Sequence, residues 1–196
     1  MIEARKSADE TEIKNKNRTA FFAGHERINK SSLTNLALKL DKTIDTLIKR
    51  DIIFFGCIGF NAFDQLSAFA VLKAQKENPA IKLIMILPFE KQYSLFSGAD
   101  SKTYRDILNS TNKVVYVSEK NVSGCIEKRN HHLIKHSSVH LLRKCALRAA
   151  DFFPLPGICV AYMKYEQSGT GQIVKLSQEN GLTIINLHEA GAMAKG

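Results

Sequence analysis

The sequence predicts an α/β protein built on a doubly wound, mainly parallel sheet of about six strands with helices on both faces. Three observations predict it. Short, continuously apolar runs such as Ile52-Ile53-Phe54-Phe55 and Ile158-Cys159-Val160-Ala161-Tyr162 recur along the chain. They alternate with amphipathic stretches long enough for crossover helices, roughly 10–17 residues each. Three of the runs also end on glycine, the residue that lets a strand turn sharply at a ligand crevice.

Each element follows in order. Residues 1–17 are polar, mixed in charge and aperiodic, and read as a flexible N-terminal tail ahead of one domain over 18–190. Thr19-Ala20-Phe21-Phe22 is a buried strand ended by Ala23-Gly24-His25. Ser31 or Ser32 caps a helix carrying Leu33, Leu36, Leu38, Leu40, Ile44, Leu47 and Ile48. Asp51 to Phe55 is the second strand, followed by the turn Gly56-Cys57-Ile58-Gly59. A helix over 62–77 closes at Asn78-Pro79. Lys82 to Leu87 is the third strand, stopped by Pro88. A short helix over 102–109 leads to a fourth strand, Lys113 to Val117, and the chain is helical from Gly124 onward. Ile158 to Tyr162 and Thr183 to Leu187 flank a last helix over 172–180, giving a Rossmann-like order of elements. The stretch 141–157, ending in Pro154-Leu155-Pro156-Gly157, lengthens the connection into the fifth strand, either as a helix extension or as an insertion.

Composition narrows the function classes. Of 196 residues, 44% are hydrophobic and 24% charged, as in globular proteins. No apolar run reaches the ~18–20 residues a membrane span needs, and the first residues lack the apolar core of a secretory signal. The four cysteines (Cys57, Cys125, Cys145, Cys159) are scattered, with no CxxC pair, so a cytoplasmic protein with reduced thiols is expected. The net charge of +9 is concentrated: Lys128, Arg129, Lys135, Arg143, Lys144 and Arg148 fall in a stretch with no acid. Such a strip is either a solvated helix face or a landing surface for phosphate groups.

The residues with chemical potential gather at strand ends. Ser168-Gly169-Thr170-Gly171 sits between the fifth strand and the last helix, where backbone N–H groups and about half a positive charge face an anion. Gly24, Gly56 and Gly59 end two other strands and can converge on the same crevice. Asp64, near the start of the second helix, is either a helix-terminal acid or a carboxylate for a ribose hydroxyl or a sugar carbon, and Glu90 could share that role. Arg129-Asn130 joins a bidentate phosphate binder to an amide. His132, His136 and His140 recur every fourth residue, but Lys128, Arg129, Lys135 and Arg143 flank them, so a metal is not expected.

With these residues the chain resembles the small YpsA/YoqJ-like branch of the SLOG superfamily, Rossmann-like domains related to the LOG proteins and to DprA. The markers are Thr19 to His25, Phe55-Gly56-Cys57-Ile58-Gly59-Phe60 with Phe63-Asp64, and Ile86-Leu87-Pro88-Phe89-Glu90. Val115 to Ser118, Gly124-Cys125, Lys128-Arg129-Asn130 and Ser168-Gly169-Thr170 complete them. The resemblance implies a pocket for a nucleotide or nucleotide-derived ligand in a sensor or regulatory domain. Gly169, Thr170 and Gly171 would hold phosphate beside Ser168, with Arg129 as counter-charge and Asn130 next to it. Gly24, His25, Gly56 and Gly59 would border the ligand, and Asp64 would touch ribose. No further cofactor is implied, and a homodimer through Leu141, Leu142, Phe152 and Phe153 is compatible. Ala62 stands where the family usually has glycine before Phe-Asp, and Ser168 where it commonly has the first of two glycines. Ile173 replaces the glutamate that LOG enzymes carry three residues after their threonine, which leaves that carboxylate chemistry without its acid. The alternatives are an N-glycoside hydrolase of nucleoside monophosphates using Asp64 or Glu90, and DprA-like single-stranded nucleic-acid binding through the basic strip.

Overall fold

The computed structural model describes residues 18–25, 28–59, 61–95, 98–137 and 157–188. Outside them lie the expected tail, residues 141–156 of the expected insertion, the proposed dimer residues Leu141, Leu142, Phe152 and Phe153, and Phe60, His140, Arg143, Lys144 and Arg148.

The elements run β1 (Thr19–Gly24), α1 (Lys30–Lys49), β2 (Phe54–Cys57), α2 (Ala62–Glu77), β3 (Lys82–Leu87) and a 3-10 turn (Gln92–Leu95). They continue with α3 (Gly98–Ser110), β4 (Lys113–Tyr116), α4 (Cys125–Ser137), β5 (Ile158–Tyr162), α5 (Gly169–Glu179) and β6 (Thr183–Asn186). All six strands are parallel, in the order β4-β3-β2-β1-β5-β6. The chain steps outward from β1 to β4, returns to β5 on the other side of β1, and steps outward again to β6. Strand order therefore reverses between β1 and β5, and in open α/β sheets ligands bind beyond the carboxyl ends of such a pair.

The strands are apolar throughout because both sheet faces are covered. Phe22, Phe55, Leu83, Met85 and Val160 pack on one face against Leu36, Leu40, Ile44 and Leu47 of α1, Phe63 and Val71 of α2, and Tyr104 and Ile107 of α3. Phe21, Ala23, Ile86, Cys159 and Ala161 pack on the other face against Leu133 and Ile134 of α4 and Ile173 and Val174 of α5.

Several boundaries differ from expectation: α3 begins at Gly98 instead of Lys102, and three other differences have a local reason. Asn29, not Ser31 or Ser32, precedes α1, and its side chain makes no capping bond. Asp51 is not a strand residue: it turns left-handed at φ 65° to end α1, pinned by Arg18 Nη2 to its carboxylate at 2.7 Å. Asp tolerates that conformation better than most residues. The second strand consequently starts at Phe54, and Gly56 and Cys57 lie within it instead of in the turn beyond. Finally, α5 begins at Gly169, so the Ser-Gly-Thr-Gly stretch forms the cap and first turn of the helix itself.

Candidate functional site at the strand-order reversal

Ser168 builds the first turn of α5. Its extended backbone (φ −90°, ψ 168°) puts the side chain over the helix end, where Oγ accepts from the Gly171 N–H at 3.0 Å. The same hydroxyl donates to the Tyr165 carbonyl at 2.6 Å, and the Ser168 N–H donates to that carbonyl at 3.4 Å. A helix start leaves four N–H groups without intrahelical acceptors. Here two are satisfied locally, and those of Gly169 and Thr170 have no acceptor among the described residues.

The glycines separate into two kinds. A Cβ on Gly171 would sit 1.9 Å from the Glu166 carbonyl oxygen, so the crossing loop requires glycine there. A Cβ on Gly24 would sit 2.2 Å from the buried Phe63 ring, and Gly59 adopts φ +74°. Gly56 faces Phe21 inside the sheet, with its Cβ position 3.1 Å from Phe21 Cβ. These four positions have structural reasons for glycine or for a small residue. Gly169 has none: nothing lies within 4 Å of its Cβ position, so the first turn of α5 opens onto free space.

The start of α2 contributes a buried carboxylate. Asn61 and Asp64 form a reciprocal capping box, with the Asp64 N–H donating to Asn61 Oδ1 at 2.9 Å and the Asn61 N–H to Asp64 Oδ2 at 3.3 Å. Asn61 Nδ2 also donates to the Gly24 carbonyl at 2.8 Å, tying α2 to the end of β1. Asp64 is fully buried, so the ribose contact expected of it would require that first turn to open. Its charge acts inward: besides burial, it raises the Cys57 thiol. Burial draws the Arg129 guanidinium below its ordinary value, and Asp64 is the strongest influence holding it up.

Arg129 projects from α4 and is only 7% exposed, with Nε and Nη2 both donating to Asn130 Oδ1 at 3.2 and 2.8 Å. The expected basic strip therefore lacks this residue at its surface. Lys128 and Lys135 are exposed, and the remaining members lie outside the described residues. The His132 and His136 rings stand 4.2 Å apart on α4, and no cluster of three or more metal-ligating side chains occurs among the described residues. Glu90 is exposed and borders a hollow of about 280 Å³ with Tyr116, Val117, Ser118 and Glu119. That hollow belongs to the β3–β4 edge of the sheet, so Glu90 does not line the β1–β5 end where Gly169 opens.

His25 plays a part that its position in the sequence does not announce. Its Nε2 accepts from the Lys164 N–H at 2.7 Å and the Tyr165 N–H at 3.4 Å, so β1 grips the β5–α5 loop through a side chain. Asn61, Lys164, Tyr165 and Asn186 were not expected at the site. Of these only Asn61 had a readable signal, an Asn followed three residues later by an acid at a helix start.

Ile173, in the position of the LOG glutamate, is 6% exposed and packs into the core with Val174. Even a carboxylate at this position would face the sheet and not the open turn.

Together these features define a doubly wound α/β protein with an open helix N-terminus at its strand-order reversal. A model of the YspA SLOG family matches residues 25–143, more than half of the chain, and the protein belongs to that family. It is similar to a UPF0398 protein of Halalkalibacterium halodurans, with 26% identity over 111 residues covering 56% of this chain and 59% of the relative. Among solved structures it is similar to DNA processing protein A from Streptococcus pneumoniae, with a TM-score of 0.45 and 9% identity over 93% of this chain and 64% of that one. The match thus spans less than two thirds of either protein's length. Among the described residues no helix is long and apolar enough to cross a membrane.

Proposed function

We propose that this protein binds a nucleotide or nucleotide-derived ligand, with a phosphate group on the first turn of α5, and serves as a sensor or regulatory domain. One observation carries the reading: the Gly169 and Thr170 N–H groups at the β1–β5 reversal have no acceptor among the described residues, and Gly169 has open space in front of it. The helix dipole favours an anion there. In this reading Arg129, held by Asn130, is the counter-charge. A domain of this kind in the cytoplasm meets its ligand free in solution, and a homodimer is compatible with it.

The test is direct. Small molecules released from the freshly purified, denatured protein are identified by mass spectrometry, and AMP, ADP and ribose 5-phosphate are titrated calorimetrically. A phosphorylated ligand in the first experiment or saturable binding in the second supports the reading. Neither, at millimolar probe concentrations, removes it. The same incubations scored for free base test the N-glycoside hydrolase alternative, to which the burial of Asp64 and the distant setting of Glu90 give little support. Oligonucleotide binding that weakens steeply with salt would instead favour the DprA-like alternative.

A further inference from the structure

The loop that carries α5 is fastened from both neighbouring strands. From β6, Asn186 Oδ1 accepts from the Met163 N–H at 3.1 Å while its Nδ2 donates to the Met163 carbonyl at 3.1 Å. From β1, His25 Nε2 accepts from the N–H groups of Lys164 and Tyr165, and the His25 N–H donates to the Tyr162 carbonyl at 3.3 Å. The bonding then continues toward the helix. The Tyr165 carbonyl accepts from Ser168, and Ser168 Oγ accepts from the Gly171 N–H. A continuous chain of hydrogen bonds thus joins the His25 imidazole to the first turn of α5.

An imidazole nitrogen that accepts N–H groups carries no proton, so the His25 proton resides on Nδ1 and the ring is neutral. We propose that His25 is the positioning residue of the α5 anion site, a neutral-imidazole latch whose protonation releases the β5–α5 loop and slackens the first turn of the helix. The inference rests on the proposed phosphate site for its consequence, but the latch itself is a property of the free protein.

The surroundings favour the neutral form. Lys164 and the Tyr165 ring, 5.9 Å away and tilted 48°, face His25 from the loop, and His188 faces it from the end of β6. Lys164 Nζ and His188 also flank the Tyr162 ring, at 5.5 and 5.6 Å. Burial, then Lys164, then His188 lower the His25 pKa from 6.5. With the folded-state value depressed, the latch is fully set above the ordinary value of 6.5 and is lost as pH falls through the lowered one. Direct contact between an imidazolium and a phosphate would give the opposite trend, with binding tightening as pH falls. The sign of the pH dependence therefore separates positioning from contact.

The experiment begins without ligand. Amide exchange at Lys164 and Gly171, corrected for intrinsic rates, is compared at about pH 7.5 and about pH 5.5 in the wild type, His25→Gln and His25→Phe. Gln places an acceptor near the former Nε2 and does not titrate, whereas Phe keeps a ring and accepts nothing. Losing such bonds costs roughly a tenfold drop in protection. We expect that drop in the wild type on acidification and in His25→Phe at both pH values, with His25→Gln protected throughout. Unchanged protection in a folded His25→Phe overturns the latch. Should His25→Phe not fold, the comparison of wild type and His25→Gln decides alone.

AMP and inorganic phosphate are then titrated at the same two pH values. Binding should weaken on acidification more in the wild type than in His25→Gln, a comparison that cancels the phosphate's own protonation. Binding that instead tightens overturns the positioning role. No binding of either probe, with the exchange pattern intact, removes the phosphate-site reading and leaves the latch standing.

Discussion

Replacing Gly24 by alanine adds one methyl group at the end of β1, and its cost follows from where that methyl lands. The Cβ would lie 2.2, 2.3 and 2.7 Å from Cδ1, Cγ and Cβ of Phe63, inside any tolerable carbon–carbon distance. Phe63 cannot swing away cheaply. It is fully buried, it stacks on Tyr162 with ring centroids 5.8 Å apart and planes at 16°, and it begins a helix whose cap donates to the Gly24 carbonyl. The backbone of Gly24 lies outside the left-handed region, so alanine itself is not strained there and would by itself gain about 0.4–1 kcal/mol from the unfolded state. Overpacking costs about 1–3 kcal/mol, and the rigidity on both sides of Phe63 puts this site toward the top of that span. The net expectation is a loss of about 1–2 kcal/mol. Urea unfolding reads it as a fall of about 1 M in midpoint for a typical slope. Gly169→Ala is the matched control. Its Cβ meets nothing within 4 Å, so stability should hold or rise by up to about 1 kcal/mol. A Gly24→Ala midpoint equal to that of wild type would refute the account of how β1 and α2 are joined.

Three further outcomes are expected. Asp64→Ala removes half of the capping box and the strongest influence sustaining the buried Arg129, and should destabilise by about 1–3 kcal/mol in the same urea assay, whereas a neutral result would mean that the box contributes nothing. Burial raises the Cys159 thiol to about 12, partly offset by a hydrogen bond with Ser177, and raises Cys57 well above its ordinary value, with Asp64 adding to the shift. Neither should take up iodoacetamide in the folded protein near pH 8, and both should do so in urea; peptide mapping of the labelled sites checks this. Burial first, then His136, Lys135 and Lys113, lowers the His132 pKa, so its contribution to stability is present above 6.5 and is lost as pH falls below it. His132→Gln should therefore lose less midpoint than wild type between about pH 7.5 and about pH 5.5; parallel losses would contradict the assignment.

The sheet was legible because burial on both faces writes strands as uninterrupted apolar runs, and β3 and β5 begin and end where the sequence predicts. Helix α2 was legible for a related reason, since Pro79 closes it and Asp64 marks its first turn. Boundaries set by a single side chain were not. The left-handed Asp51 depends on Arg18, far away in the chain, and the early start of α5 depends on one serine hydroxyl. Among the glycines, sequence marks where freedom is used but not why. Gly24 and Gly171 yield to a neighbouring ring and a crossing carbonyl, whereas Gly169 faces open space. The grip of His25 on Lys164 joins residues 139 positions apart, a link no local pattern encodes.

Everything proposed for this site turns on a phosphate group at the first turn of α5. Titrating isotopically labelled protein with AMP while following the backbone amides of Gly169 and Thr170 tests it most directly. Phosphate binding there should give saturable shifts at these two amides and at the Arg129 side chain, all lost in a folded Gly169→Leu variant. Shifts that leave Gly169 and Thr170 untouched, or undiminished affinity in Gly169→Leu, would contradict it.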